Sequence, residues 1–351
     1  MTSGRDYSII GPERERAIAR GLASAEWYRT PVPRATMREL VARTNGRAAR
    51  DTLLWLGLLI ASGVVVHLTW WTWWTIPALI VYGTLYGSAS DSRWHECGHG
   101  TAFRAQWANS VVYYVASFMD YREPVSWRWS HARHHDDTIV VGRDLEIAVP
   151  RPTSLWALAA ELFGLRSWWA ETKKLAANVV GRVTAEERDY VPASEHRKAI
   201  RWGRLWAAGW VAAIVASVVF RSLEPLALFC LPTLYGRWLL VVYGYTQHAG
   251  LAEDVLDHRR NTRTVLMNPV NRFLYSNMGY HIEHHMFPNV PYHALPKLHA
   301  VVAHDMPAPY RGLRAAYREI LPLLARQAKD PTYFLDRPVP SGAAAPGPVT
   351  P

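Results

Sequence analysis

Two pairs of long apolar runs, set apart by polar and charged stretches, give this 351-residue chain its rhythm. Residues 53–74 (LLWLGLLIASGVVVHLTWWTWW) are almost uncharged, and about 20 such residues suffice to cross a bilayer as a helix. The Trp cluster that closes this run suits a membrane interface. Pro77 marks a tight turn, and residues 76–93 run back, apolar as far as Ala89. A second pair, residues 204–221 and 225–246, contains Arg237, which is tolerable near a helix end by snorkelling or against a buried partner. Residues 107–119 are apolar but too short for a span and read as a re-entrant or interfacial segment. The pattern predicts an all-α integral membrane protein with four transmembrane helices in two hairpins, under a cytoplasmic helical cap.

The polar stretches divide the chain further. Residues 1–51 are Arg-rich and predict a cytoplasmic segment with an amphipathic helix from about Arg34 to Arg50, lying at the membrane surface. They lack the apolar core of a secretory leader, so none is expected. Residues 52–335 form the membrane domain. Within it, residues 136–203 predict a helical soluble subdomain, with Trp168 and Trp169 positioned to touch lipid. The Pro/Ala/Gly-rich tail, residues 336–351, is expected to be disordered.

Charge orients this arrangement. The formal net charge is +10, from 39 Lys and Arg against 29 Asp and Glu. The connection inside the first hairpin has no Lys or Arg, and that inside the second has only Arg221. The positive-inside rule therefore puts the N-terminal, middle and C-terminal segments in the cytoplasm. A multi-pass protein of a bacterial cytoplasmic membrane is expected, with its chemistry on the cytoplasmic side. No basic run interleaved with aromatics suggests a base-stacking platform, so nucleic acid is not expected as a partner. Cys97 and Cys230 are too few for a disulfide framework or an iron–sulfur cluster.

The chemistry lies in the histidines. Nine of the 15 histidines fall in four short places. His95 and His99 are i and i+4. His131, His134 and His135 repeat that spacing with one more residue, as do His281, His284 and His285; His248 stands alone after the fourth run. On helices such spacings put imidazoles on neighbouring turns. All four places fall just beyond span ends, on one side of the membrane. Neutral imidazole is the commonest protein metal ligand, and nine exceed what one ion needs, so two metals are expected. Imidazole suits zinc, copper, iron and nickel alike. Asp91, Glu96, Asp120, Asp136, Asp137, Asp144 and Glu283 are candidates to orient the imidazoles, with Asp136 and Glu283 the first choices because they adjoin or interrupt a cluster. Cys97 is expected to face away from the metals. His67, His196, His258, His293, His299 and His304 are expected to lie outside the ligand set.

A zinc reading competes. His95-Glu96-Cys97-Gly98-His99 fits H-E-x-x-H, two zinc ligands with Glu as general base. A membrane zinc metalloprotease would leave most of the clustered histidines unexplained. A non-catalytic metal-binding membrane protein is a further reading.

The H-x3-H, H-x2-H-H and H-x2-H-H boxes, spaced around two span pairs over roughly residues 52–305, resemble the membrane-bound fatty acid desaturase/hydroxylase superfamily. His281 to Leu295 and Gln247-His248-Ala249-Gly250-Leu251 resemble its bacterial acyl desaturase members most. The resemblance implies two iron ions (Fe2+/Fe3+), O2 as co-substrate, and oxidation of an unactivated C–H bond. Desaturation of a fatty acyl substrate is expected first, and hydroxylation of an acyl chain or small molecule second. It also implies a separate electron donor, a ferredoxin or similar protein with its reductase. By the same resemblance, one iron would take His95, His131, His281 and His284, and the other His99, His134, His135, His248 and His285. Some members have an Asn four residues before the lone histidine; here Gly244 stands there, with Thr246 and Gln247 as possible substitutes.

Overall fold

The computed structural model describes residues 5–340. The N-terminal segment holds α1 (Pro12–Ala19) and α2 (Arg34–Leu40), then α3 (Gly46–Thr69) begins. The expected helix from Arg34 to Arg50 is therefore two helices. The chain leaves helical order after Leu40 and restarts at Asn45-Gly46, where the Asn45 side chain accepts from the Ala105 amide instead of continuing a helix. α3 ends at Thr69, short of the Trp run. Thr72 bonds back to the Thr69 carbonyl at 2.7 Å, and Trp71, Trp73 and Trp74 lie exposed in the turn.

The return strand of this hairpin is α4 (Thr75–Gly87) followed, after a break at Ser88, by α5 (Ala89–Gly98). Next come α6 (Gln106–Met119), which packs on α5, and α7 (Pro124–Asp136). The middle segment is helical as expected: α8 (Leu155–Glu161), α9 (Leu165–Val179) and α10 (Ala185–Tyr190). Trp169 is exposed there, whereas Trp168 is half-buried and stacks on Tyr121.

The second hairpin opens with α11 (His196–Val219). Residues 46–69 and 193–219 are each long and apolar enough to cross a membrane. Leu53, Ile60 and Leu68 on the first, and Val211, Val215 and Val218 on the second, point outward as an apolar surface of the kind that faces lipid. The fourth apolar run is broken into α12 (Glu224–Phe229), α13 (Pro232–Tyr235) and α14 (Trp238–His248). Pro232 has no amide hydrogen to continue the ladder. The freed carbonyls of Ala227, Leu228 and Phe229 accept instead from the hydroxyls of Tyr235, Tyr82 and Tyr86. Ser88 links both breaks, accepting from the Leu240 amide and donating to the Gly236 carbonyl. Neighbouring side chains can thus satisfy interrupted apolar helices. The breaks coincide with a backbone crossing: a Cβ on Gly236 would overlap Gly83, and one on Gly87 would overlap the Pro232 carbonyl.

The C-terminal segment contains α15 (His258–Asn261), β1 (Val265–Leu266), α16 (Pro269–Leu274), α17 (His281–Met286), α18 (Leu295–Val302), β2 (Tyr310–Arg311) and α19 (Leu313–Gln327). β1 and β2 pair in parallel, and Thr264 bridges Tyr280 immediately before α17. Ile282 and Met286 of α17 are buried with Trp94, Cys97, Leu295 and Leu298, so the core behind α5 and α17 holds both against one another. Of the expected disordered tail, residues 341–351 lie outside the described residues.

Candidate metal centre

Four elements bring the nine histidines together. α5 carries His95, and His99 follows at its C-terminal cap; α7 carries His131, His134 and His135; α14 ends on His248; α17 carries His281, His284 and His285. α7 is started by Pro124 at its first position and by the Glu123 carboxylate, which accepts from the amides of Val125 and Ser126. α17 is fixed by the bridge at Tyr280 and by Gly279, where a Cβ would overlap the Val265 carbonyl.

The nitrogens converge into two groups. One holds His95, His99, His131, His135 and His284; the other holds His134, His248, His281 and His285. Within each group the ligand atoms all lie within 4.8 Å of one another. This differs from the division inferred by resemblance. His99 and His135 join the first group, and His281 joins the second. The reason is helical: His95 and His99, His131 and His135, and His281 and His285 are each i,i+4 pairs on one face. Each pair stays together, while His134 and His284, about 100° round the helix from their neighbours, cross to the opposite group.

The close approaches are between ring nitrogens, and wherever Nδ1 is committed to an acceptor the neutral ring turns a lone pair on Nε2 inward. His248 Nδ1 lies 2.9 Å from the Asn261 carbonyl, which only accepts, so the proton sits on Nδ1 and Nε2 bears a lone pair. That Nε2 stands 3.2 Å from Nε2 of His281. Thr138 donates its hydroxyl to the His134 carbonyl, so it accepts from His285 Nδ1 at 3.2 Å. His285 Nε2 then faces His281 Nε2 at 3.1 Å. His134 Nδ1 meets the Asp144 carboxylate at 2.9 Å, and His131 Nδ1 meets Glu146 at 3.2 Å. In the first group Nε2 of His95 and His284 are 2.7 Å apart, and those of His99 and His131 are 3.1 Å apart. Two imidazole nitrogens sharing one ion at ordinary metal–nitrogen distances would stand about 3 Å apart. The Nδ1 atoms of His135, His281 and His284 are buried without a partner among the described residues. Converging lone pairs on such a scale fit cations, and the donor set of nine imidazoles fits a transition metal such as iron.

Electrostatics agree. Burial, and then the neighbouring imidazoles, push His95, His135, His281, His284 and His285 well below the usual histidine range, so they are held neutral as ligands must be. His134 is the exception. Burial lowers it, but the Asp144 carboxylate outweighs burial and raises it to about 9. Burial likewise pushes Glu146 up, but His131 and then His134 bring it down to about 2, a fixed negative charge beside the first group.

The groups that orient the imidazoles are mostly not the two singled out in the sequence. The Asp136 side chain is exposed at the end of α7; only its backbone carbonyl is engaged, by Trp27. Glu283 is buried, but its carboxylate pairs with His299 and accepts from Thr264 at 2.7 Å, so it braces α17 from behind. Asp144, from the broader candidate set, does hold His134. Glu146 and Asn261 were missed. Glu96 turns to the Tyr292 amide at 3.2 Å and to Thr101, away from the imidazole nitrogens, which removes it as the base of a zinc protease. Cys97 is buried in the core as expected. Thr246 bonds to the Tyr243 carbonyl of its own helix, and Gln247 donates to the Tyr275 hydroxyl.

Residues 68–317 match the sequence profile of the fatty acid desaturase family. The chain belongs to that family. Among the chain's relatives is a soybean (Glycine max) omega-6 fatty acid desaturase of the endoplasmic reticulum, 27% identical over 63% of this chain and 64% of the relative. An Arabidopsis thaliana acyl-lipid omega-3 desaturase (cytochrome b5) is 25% identical over 81% of this chain and 76% of its own length. The oleoyl-12-hydroxylase of Ricinus communis is 25% identical over 64% of this chain and 65% of the relative.

Proposed function

We propose that this protein oxidises an unactivated C–H bond of a fatty acyl chain, with O2 and two iron ions, most directly as a desaturase. The observation that carries the reading is the pair of lone-pair clusters built from nine buried and half-buried imidazoles in a chain of this family. His95, His99, His131, His135 and His284 would hold one ion, and His134, His248, His281 and His285 the other. Bound there, iron supplies O2 activation and hydrogen removal.

The chain's own residues supply the rest. Asp144, Glu146, Thr138 and the Asn261 carbonyl hold the Nδ1 atoms, which keeps each Nε2 aimed inward. Burial keeps protons off the rings of His95, His135, His281, His284 and His285. Electrons come from a separate protein of the ferredoxin or cytochrome class. Both cysteines are buried and free, and one relative's name carries cytochrome b5. We place residues 52–335 in one membrane domain with four crossings, the interrupted α4–α5 and α12–α14 completing the two hairpins. The distribution of Lys and Arg favours a cytoplasmic position for the centre.

Hydroxylation is the second reading, favoured by the castor hydroxylase relative. Lipid mass spectrometry of cells expressing the chain, beside a His284→Ala control, tests both. Loss of two hydrogens from an acyl chain marks desaturation and gain of one oxygen marks hydroxylation. Identical lipids with iron-loaded protein would sink the proposal.

A further inference from the structure

Two cavities meet beside the second histidine group. A small one, about 70 Å³, is lined by His248, Gln247 and Ile139. A larger cleft of about 420 Å³ runs outward over Leu240 and Val241 to Glu161, Arg166 and Arg237. Both are walled by Glu146, Ile147, Ala148, Gly244 and Tyr245.

Gly244 is the hinge of this arrangement. It lies one helical turn before His248, on the same face of α14. A Cβ built there meets nothing within 4 Å. Glycine here relieves no backbone clash, in contrast to Gly83 or Gly236. It costs helix stability relative to alanine. What its missing side chain does is leave space between the two cavities, next to a metal-ligand histidine.

We infer that Gly244 sets how deep the substrate chain reaches toward the metal centre. The apolar chain lies along Ile147, Ala148 and Val241, with its polar end among Glu161, Arg166 and Arg237. The inference rests on the acyl-oxidation reading above and names the residue that selects which carbon that site reaches. Each added carbon at position 244 fills the passage and stops the chain earlier. Carbons nearer the methyl end then lie beside the metals.

The test uses full-length, iron-loaded protein in detergent, with Gly244→Ala, Gly244→Val and Gly244→Leu. Iron content reports an intact centre. Radiolabelled oleate binding is measured with and without iron, and products are mapped by mass spectrometry. The expected result is a graded loss of oleate binding, at least about tenfold for Gly244→Leu, with iron content unchanged. The surviving product should be oxidised nearer the methyl end. Unchanged affinity and product position in Gly244→Leu would overturn the inference, as would failure of the wild type to bind oleate. Wild type that binds oleate in a Gly244-dependent way, yet forms no oxidised product, would keep the cleft and reject the reaction. Wild type that oxidises acyl chains with Gly244→Leu indistinguishable from it would do the reverse.

Discussion

Nε2 of His248 stands 3.2 Å from Nε2 of His281, with the His248 Nδ1 proton committed to the Asn261 carbonyl. His248 comes from the end of α14 and His281 from the start of α17, so a cation held between them would join two segments. His248→Ala should therefore empty the four-histidine group while sparing the five-histidine group. Elemental analysis should show roughly one iron in place of two, with oxidation of acyl chains abolished. Full retention of both ions would count against this pairing.

The brace on His131 offers a contrast between two carboxylates. Glu146 lies 3.2 Å from His131 Nδ1, whereas Asp136 faces solvent. Removing a group that orients a ligand imidazole typically weakens metal affinity about 10–100-fold. Glu146→Ala should do so with a near-normal melting temperature, and Asp136→Asn should leave affinity untouched. Competition against a chelator measures both.

Glu123 makes stability depend on pH. Burial raises its pKa from 4.5 to about 7, against the pull of the Ser126 and Val125 amides. Between those values the unfolded chain has lost the proton that the folded chain keeps. The stabilising contribution is thus complete below about pH 4.5 and disappears as pH climbs through about 7. A shift of this size corresponds to about 3 kcal/mol. Glu123→Gln keeps one acceptor oxygen and should flatten the fall in melting temperature between pH 5 and 7.

The crossing of α4 and α13 should tolerate no side chain. A Cβ at Gly236 would overlap the Gly83 backbone. Gly236→Ala should destabilise by about 1–3 kcal/mol, as overpacking does. A thermal melt reads this directly, and an unchanged melt would mean the helices can part.

The nine converging histidines stood out in the sequence because i, i+3 and i+4 spacings survive without coordinates. Their grouping could not be assigned, since H-x2-H-H fixes angles around a helix but not which neighbour each ring meets. The braces were missed for a related reason. Asp136 adjoins His135 in the chain, but the next residue points about 100° away. Asp144 reaches His134 because the chain turns at Gly142, whose φ is 80° and where a Cβ would overlap the backbone of Glu13 and Arg14. The apolar runs pointed to the long helices at residues 46–69 and 193–219, but not to the breaks at Ser88 and Pro232. Those depend on Tyr82, Tyr86 and Tyr235 finding the freed carbonyls.

The exchange of His134 and His284 has a mechanical meaning. α7 and α17 each hand two rings to one group and one ring to the other. The spacing between the groups is then gauged by the girth of two helices. No shared carboxylate is needed as a spacer. A rigid ruler of this kind sets the distance between the two groups by backbone geometry alone, whatever they come to hold.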